Sequence, residues 1–94
     1  MSASDSEDVW ELVEKELGAM ITHQEERVLA LGRRLKAGVT AEDLRNPQDF
    51  RELDDPDFHY EDGMLAGVKQ ALMALRARRR ERASLQTSHE EQQP

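Results

Sequence analysis

Residues 38–57, GVTAEDLRNPQDFRELDDPD, decide the fold because they end one long helix and begin another. Gly38 is the residue type that most often follows a helix C-terminus. Asp55 before Pro56 is a typical helix start, since the carboxylate caps the first turn and proline suits its first position. The stretch therefore predicts a compact connector, residues 40–54, between two long helices.

Inside this connector, two further helix-start signals predict short helical turns. Thr40 with Asp43 resembles a capping box, although glutamate or glutamine is usual at the last position. Asn46 before Pro47 repeats the cap-then-proline pattern and predicts a short helix through about residue 53. Four apolar residues are expected to hold the connector against the helices: Val39, Leu44, Phe50 and Leu53.

Apolar residues recur at helical spacing on both sides of the connector and predict helices over residues 7–36 and 57–85. The apolar stripe of each helix is called its seam. The seam of the first helix follows an eleven-residue repeat, which indicates a nearly straight helix. Its members are Val9, Val13, Leu17, Met20, Gln24, Val28, Leu31 and Leu35. The seam of the second helix contains Met64, Leu65, Val68, Leu72 and Leu75. Residues 1–6 and the polar tail 87–94 are predicted to be disordered, the tail serving as an end or a linker.

Composition indicates that one hairpin does not bury enough apolar surface alone. The chain has 94 residues, of which 37% are hydrophobic and 35% charged, and it has no cysteine. Chains this short often complete their core by assembly. We therefore predict an all-α fold: an antiparallel helical hairpin with a short helical connector, pairing as an antiparallel homodimer in a four-helix arrangement.

The arginine-rich run LRARRRER, residues 75–82, stands out in a chain of formal net charge −7. Residues 1–16 carry six acids and one lysine, net −5, and residues 76–82 carry five arginines and one glutamate, net +4. Folding the hairpin brings these two segments together, so the run is interpreted as structural and no nucleic-acid partner is predicted. The other end repeats the pattern, with net +4 over residues 27–36 and net −7 over residues 42–62.

No apolar run approaches the ~20 residues that a membrane span requires, so no membrane partner is predicted. The N-terminus, MSASDSEDVWELVEKE, is acidic where a signal peptide would be basic. Both observations predict a cytoplasmic protein.

Gln24 interrupts the apolar seam of the first helix, with His23 and Arg27 beside it. One interpretation is a register device, in which a single buried polar residue fixes helix alignment. The other is a polar notch for a ligand at the dimer interface, where apolar walls and a few polar groups form a pocket.

Other residues on the helices are of types that often contact ligands. Trp10 and Tyr60 offer flat aromatic surfaces, and Arg34 is one of several arginines suited to bidentate phosphate contacts. Gly63 and Gly67, one turn apart, weaken the second helix and indicate the close approach of a crossing helix or of a ligand. They belong to a small-residue stripe: Gly63, Gly67, Ala71 and Ala74.

Enzyme motifs are sparse. His23 with Glu26 is the single Glu/His pair at the spacing used in di-iron bundles, and the second helix has no matching pair, so a metal centre is not predicted. Neither a nucleophile elbow nor a phosphate-binding glycine loop is present, so hydrolase and kinase chemistry have no basis.

The chain resembles the small flavin-binding cargo proteins of encapsulin nanocompartments over about residues 7–86. The resemblance rests on size, hairpin architecture, the missing di-iron motif and the glycine-containing second helix HYEDGMLAGVKQALMALRARRRER, residues 59–82. It implies FMN bound between helical hairpins and NAD(P)H as electron donor for the reduction of ferric iron in iron storage. It also implies an encapsulin shell partner and a location inside the nanocompartment. The targeting peptide that such cargo carries is not evident in SLQTSHEEQQP, residues 84–94.

If FMN binds, its candidate contacts come from the residues singled out above: Trp10, His23, Gln24, Arg27, Arg34, Tyr60, Gly63 and Gly67. The alternative is a non-enzymatic dimeric helical adaptor, in which the glycine stripe receives a partner helix together with Met64, Met73 and Leu85.

Overall fold

The computed structural model describes the backbone of residues 3–92 and the side chains of residues 8–85. Helix α1 spans Ala3–Leu35, helix α2 spans Pro56–Gln92, and three single-turn 3-10 helices connect them at Asp43–Arg45, Pro47–Asp49 and Arg51–Leu53. The two long helices pack along each other as a hairpin, and the molecule measures 64 × 23 × 19 Å. The prediction of an all-helical hairpin is therefore confirmed. No helix in the described part is long and apolar enough to cross a membrane.

The connector forms where its capping residues predict it. Gly38 has a φ of 83°, a conformation that glycine adopts freely, and it turns the chain away from α1. Thr40 and Asp43 form the reciprocal capping box: the Thr40 N–H donates to Asp43 Oδ2 at 3.0 Å, and the Asp43 N–H donates to Thr40 Oγ1 at 3.2 Å. At the far end, Asp55 Oδ1 accepts hydrogen bonds from the first turn of α2, which confirms its role as the cap.

The short helix predicted after Asn46 is divided into two 3-10 turns. Phe50 has an extended backbone, with φ −121° and ψ 112°, and separates Pro47–Asp49 from Arg51–Leu53. The Asn46 side chain makes no capping hydrogen bond, so that cap was predicted wrongly. The extended residue is explained by packing, because Phe50 lies against the core.

The core lies at the connector end of the hairpin. Phe58 and Leu53 are fully buried, and they pack with Val28 of α1 and Leu65 of α2. Gly32 lets the connector approach α1 closely, since a Cβ there would lie 3.1 Å from the Leu44 side chain. The partly buried apolar residues around this core are Ile21, Leu31, Leu35, Leu44 and Phe50.

Both long helices extend beyond their predicted bounds. α1 begins at Ala3 instead of residue 7, since acidic residues near its N-terminus suit the helix dipole. α2 continues to Gln92 instead of ending at residue 85, because no glycine or proline interrupts it after Gly67 and residues 85–92 include good helix formers. The helices therefore include residues 3–6 and 87–92, which the sequence predicts to be disordered, and residues 1, 2, 93 and 94 lie outside the described part.

Ion pairs across the hairpin follow the predicted charge map. At the open end, Arg76 Nη2 lies 2.7 Å from Glu14 Oε2. At the connector end, Lys36 Nζ lies 3.1 Å from Glu52 Oε2. The interpretation of the arginine run as a structural element is thus supported for Arg76, whose acidic partner lies in residues 1–16.

Candidate functional site

The polar residue in the α1 seam is bonded to α2. Gln24 is 7% exposed, and its side-chain amide donates hydrogen bonds to the backbone carbonyl of Glu61 at 3.0 Å and to the Glu61 carboxylate. Arg27 Nη2 donates to the other carboxylate oxygen of Glu61 at 2.9 Å. This Gln24–Arg27–Glu61 cluster aligns α1 with α2, as expected for a register device.

The cluster also shifts the pKa of Glu61. The hydrogen bonds from Gln24 and then from Arg27 hold the pKa of Glu61 below its ordinary value of 4.5. A carboxyl whose pKa is lower in the folded state stabilises the fold above its unfolded pKa, and this stabilisation is lost as the pH falls through the folded pKa.

We therefore expect Glu61→Gln to lower the thermal midpoint at about pH 7 and to lower it less at an acidic pH below the folded pKa of Glu61, where the wild-type carboxyl is protonated as well. The Glu14–Arg76 and Lys36–Glu52 pairs are retained in the variant, so the difference isolates Glu61. Glu16→Gln, at an exposed acid, is the control and should not change the midpoint at either pH. An equal loss in Glu61→Gln at both pH values would contradict the role of the charge.

A second cluster lies at the open end of the hairpin. Glu14 accepts three hydrogen bonds from the Arg76 guanidinium, at 2.7 to 3.2 Å, and these lower the pKa of Glu14 and raise that of Arg76. The Arg79 guanidinium lies 5.5 Å from the centre of the Trp10 ring. Trp10 is therefore covered by an arginine of its own chain.

The remaining candidate residues are on the surface. Tyr60 is 66% exposed, and His23 and Arg34 are also exposed. A Cβ at Gly63 or Gly67 would have no atom within 4 Å, so no helix of the same chain crosses at these glycines.

The eight candidate residues do not form one pocket within a single chain. Trp10 is in contact with Arg79 on α2. Tyr60 lies about 28 Å from Arg79 along the same helix, since each residue advances the helix by 1.5 Å. Gln24 and Arg27 contact Glu61, between these two ends. A ligand that contacted both aromatic rings would therefore require a second copy of the chain.

An apolar strip runs along the side of the hairpin where Gln24 meets Glu61. On α1, Met20 lies one turn before Gln24. On α2, Met64, Val68 and Leu75 follow Glu61 by about one, two and four turns. All four side chains therefore project on the side where Gln24 meets Glu61. Met20 is 51% exposed, Met64 45% and Leu75 37%. We call this strip the apolar side; it consists of Val13, Met20, Met64, Val68 and Leu75.

This exposure divides the predicted seams. Val9, Met20, Met64 and Leu75 belong to them, yet each is exposed in the single hairpin. The reason is geometric, because each seam is about 100° wide and a single partner helix covers only part of that width.

The sequence interpretation missed two important residues. Phe58 was not named, although it precedes Leu65 and Leu72 at steps of seven, and this spacing is the signal that places all three on one face. Glu61 was not identified as the partner of Gln24, since only the alignment of the two helices reveals that pairing.

No metal site is visible in the described residues, where no group of three or more histidine or acidic side chains lies close enough to hold an ion. Comparison of the chain with protein-family models, with curated proteins and with solved structures gives no match.

Proposed function

We propose that the protein is a non-enzymatic helical adaptor that works as a homodimer, with two hairpins packed through their apolar sides. The observation that carries this proposal is the strip of apolar side chains on one side of the hairpin, in which Met20, Met64 and Leu75 are 37 to 51% exposed. Contiguous exposed apolar surface of this kind marks interaction sites in soluble proteins. A second hairpin would cover it and complete a four-helix core.

The total surface of the chain supports assembly. One chain exposes 7497 Å². A compact monomer of 10.8 kDa would expose about 5,500 Å². The excess is therefore about 2,000 Å² per chain, and obligate homodimers bury about 2,000–5,000 Å² in total. Pairing two chains brings the exposed area toward that of a compact protein.

The position of the connector leaves the apolar side open. Ala41 and Leu44 of the connector line a cavity together with Leu29 and Ala66. Leu29 and Ala66 each follow a core residue by one position, which turns them about 100° away, onto the side opposite Met20 and Met64.

Charge favours antiparallel pairing of the two hairpins. Parallel pairing would place the arginines of residues 76–82 from both copies at the same end, where like charges destabilise the complex. Antiparallel pairing separates the two runs by the length of the hairpin.

Sedimentation equilibrium tests this proposal. We expect a mass of twice 10.8 kDa, with dissociation to the monomer only on dilution. A mass of 10.8 kDa at high protein concentration would refute the homodimer and with it this form of the adaptor.

A second candidate is the flavin-dependent ferric reductase implied by the resemblance, with FMN between two copies. The open surface around Tyr60, Gly63 and Gly67 favours it, since a flat ring could lie on the glycines against the exposed tyrosine. In an antiparallel pair, the Trp10 end of one copy approaches the Tyr60 end of the other. FMN fluorescence should then be quenched at a defined stoichiometry, and less strongly in Tyr60→Ala. An adaptor would leave the FMN fluorescence unchanged.

A further inference from the structure

A cavity of about 600 Å³ lies on the other side of the hairpin, between the two helices and the connector. Its floor contains the core residues Val28 and Leu65, and its walls include Leu29 and Leu44. This volume is in the range of small-molecule sites, which combine apolar walls with a few polar groups at the rim. The cavity is distinct from the apolar side.

Acidic side chains outnumber basic ones at the rim by three to two. Glu26 and Asp62 line the cavity, and neither has a hydrogen-bond or ion-pair partner within the described part of the chain. They lie at the same level of the hairpin, because Arg27 and Glu61, the residues next to them, are joined by an ion pair at 2.9 Å. Two carboxylates without an ion-pair partner thus lie at the rim, at one level of the hairpin.

The basic side chains at the rim do not cancel this charge. Lys69 Nζ lies 3.7 Å from Oε2 of Glu25, a third rim carboxylate, and forms an ion pair with it. Arg45, on the connector, is the other cation at the rim, which leaves three carboxylates against two cations. An anionic ligand would meet the two free carboxylates, whereas a cation would neutralise them.

We propose that this cavity binds a small organic cation with an apolar body, such as an alkyl or aryl ammonium compound. The apolar body lies on Val28 and Leu65, and the ammonium group lies at the rim, where Glu26 and Asp62 supply negative charge. This binding site does not depend on the dimer, because every residue that forms it belongs to one chain.

Two probes of the same size and opposite charge test the proposal: 3-phenylpropylammonium and 4-phenylbutanoate. Each is titrated into the isotope-labelled full-length chain while the backbone amide resonances are followed by NMR. We expect 3-phenylpropylammonium to shift the amides of Leu29, Leu44 and Ala66 saturably, and 4-phenylbutanoate to bind at least about tenfold more weakly.

Variants separate the charge from the cavity. The double variant Glu26→Gln, Asp62→Asn should weaken 3-phenylpropylammonium binding about tenfold, and Glu42→Gln, at an exposed acid outside the cavity, should not change it. Ala66→Trp, which fills the cavity from its wall, should abolish the shifts of Leu29 and Leu44. Equal affinity for both probes, shifts elsewhere on the hairpin, or unchanged affinity in the double variant would overturn the proposal.

Discussion

Phe58→Ala should lower the free energy of unfolding by about 3–5 kcal/mol, the usual cost of removing a buried phenylalanine ring. Phe58 is fully buried, and it packs in one cluster with Leu53 of the connector, Val28 of α1 and Leu65 of α2. It is therefore the residue at which all three parts of the hairpin meet. Because domains have only about 5–15 kcal/mol of stability, this change should leave the variant close to unfolding.

Urea denaturation followed by circular dichroism measures this loss, at one fixed protein concentration because the proposed dimerisation would make stability depend on concentration. Met73→Ala is the control, since Met73 is 64% exposed and its change should cost less than about 0.5 kcal/mol. A loss below about 1 kcal/mol in Phe58→Ala would show that the core described here does not hold the hairpin together.

Met20→Glu and Met64→Glu should each weaken dimerisation at least about 100-fold. Each variant places a carboxylate where the partner's apolar side would cover it, and an unpaired buried charge costs several kcal/mol. Glutamate and methionine have similar helix propensities, so the hairpin itself should be retained. The dissociation constant is measured by sedimentation equilibrium, with circular dichroism as the check on folding.

Met73→Glu is the matched control for both variants. Met73 lies on α2 and is also exposed, but its position in the helix places it on the side away from Met64. Its replacement introduces the same charge and should leave the dissociation constant unchanged. Dimers that persist in Met20→Glu and Met64→Glu, or that are lost equally in Met73→Glu, would rule out the apolar side as the interface.

Local signals in the sequence predicted three of the four turns and caps in and around the connector. The Thr40–Asp43 capping box, the Gly38 turn and the Asp55 cap each depend on residues within a few positions of one another, and the structure has all three. Asn46 was predicted wrongly because the packing of Phe50 divides the helix that it was expected to cap. Tertiary contacts decided this segment, and a local pattern does not contain them.

The candidate site was harder to predict, because its geometry depends on how α1 aligns with α2. The seam identified Gln24 as a polar break, yet its partner Glu61 is 37 residues away along the chain. The sequence shows the apolar seams. Which of their residues lie in the hairpin contact and which lie on the exposed apolar side is known only from the packing of Val28 against Leu65. Periodicity shows that a helix has an apolar face, and only the structure shows how much of it one partner covers.

Intermolecular nuclear Overhauser effects at the methionine methyl groups test the central claim most directly. Isotope-labelled and unlabelled chains are mixed, and a filtered experiment detects only contacts between the two copies. Met20, Met64 and Met73 are natural probes of the two sides of the hairpin. We expect intermolecular signals from the methyl groups of Met20 and Met64 and none from Met73. Intermolecular signals confined to Met73, or no such signals from any of the three, would contradict a homodimer packed through the apolar side.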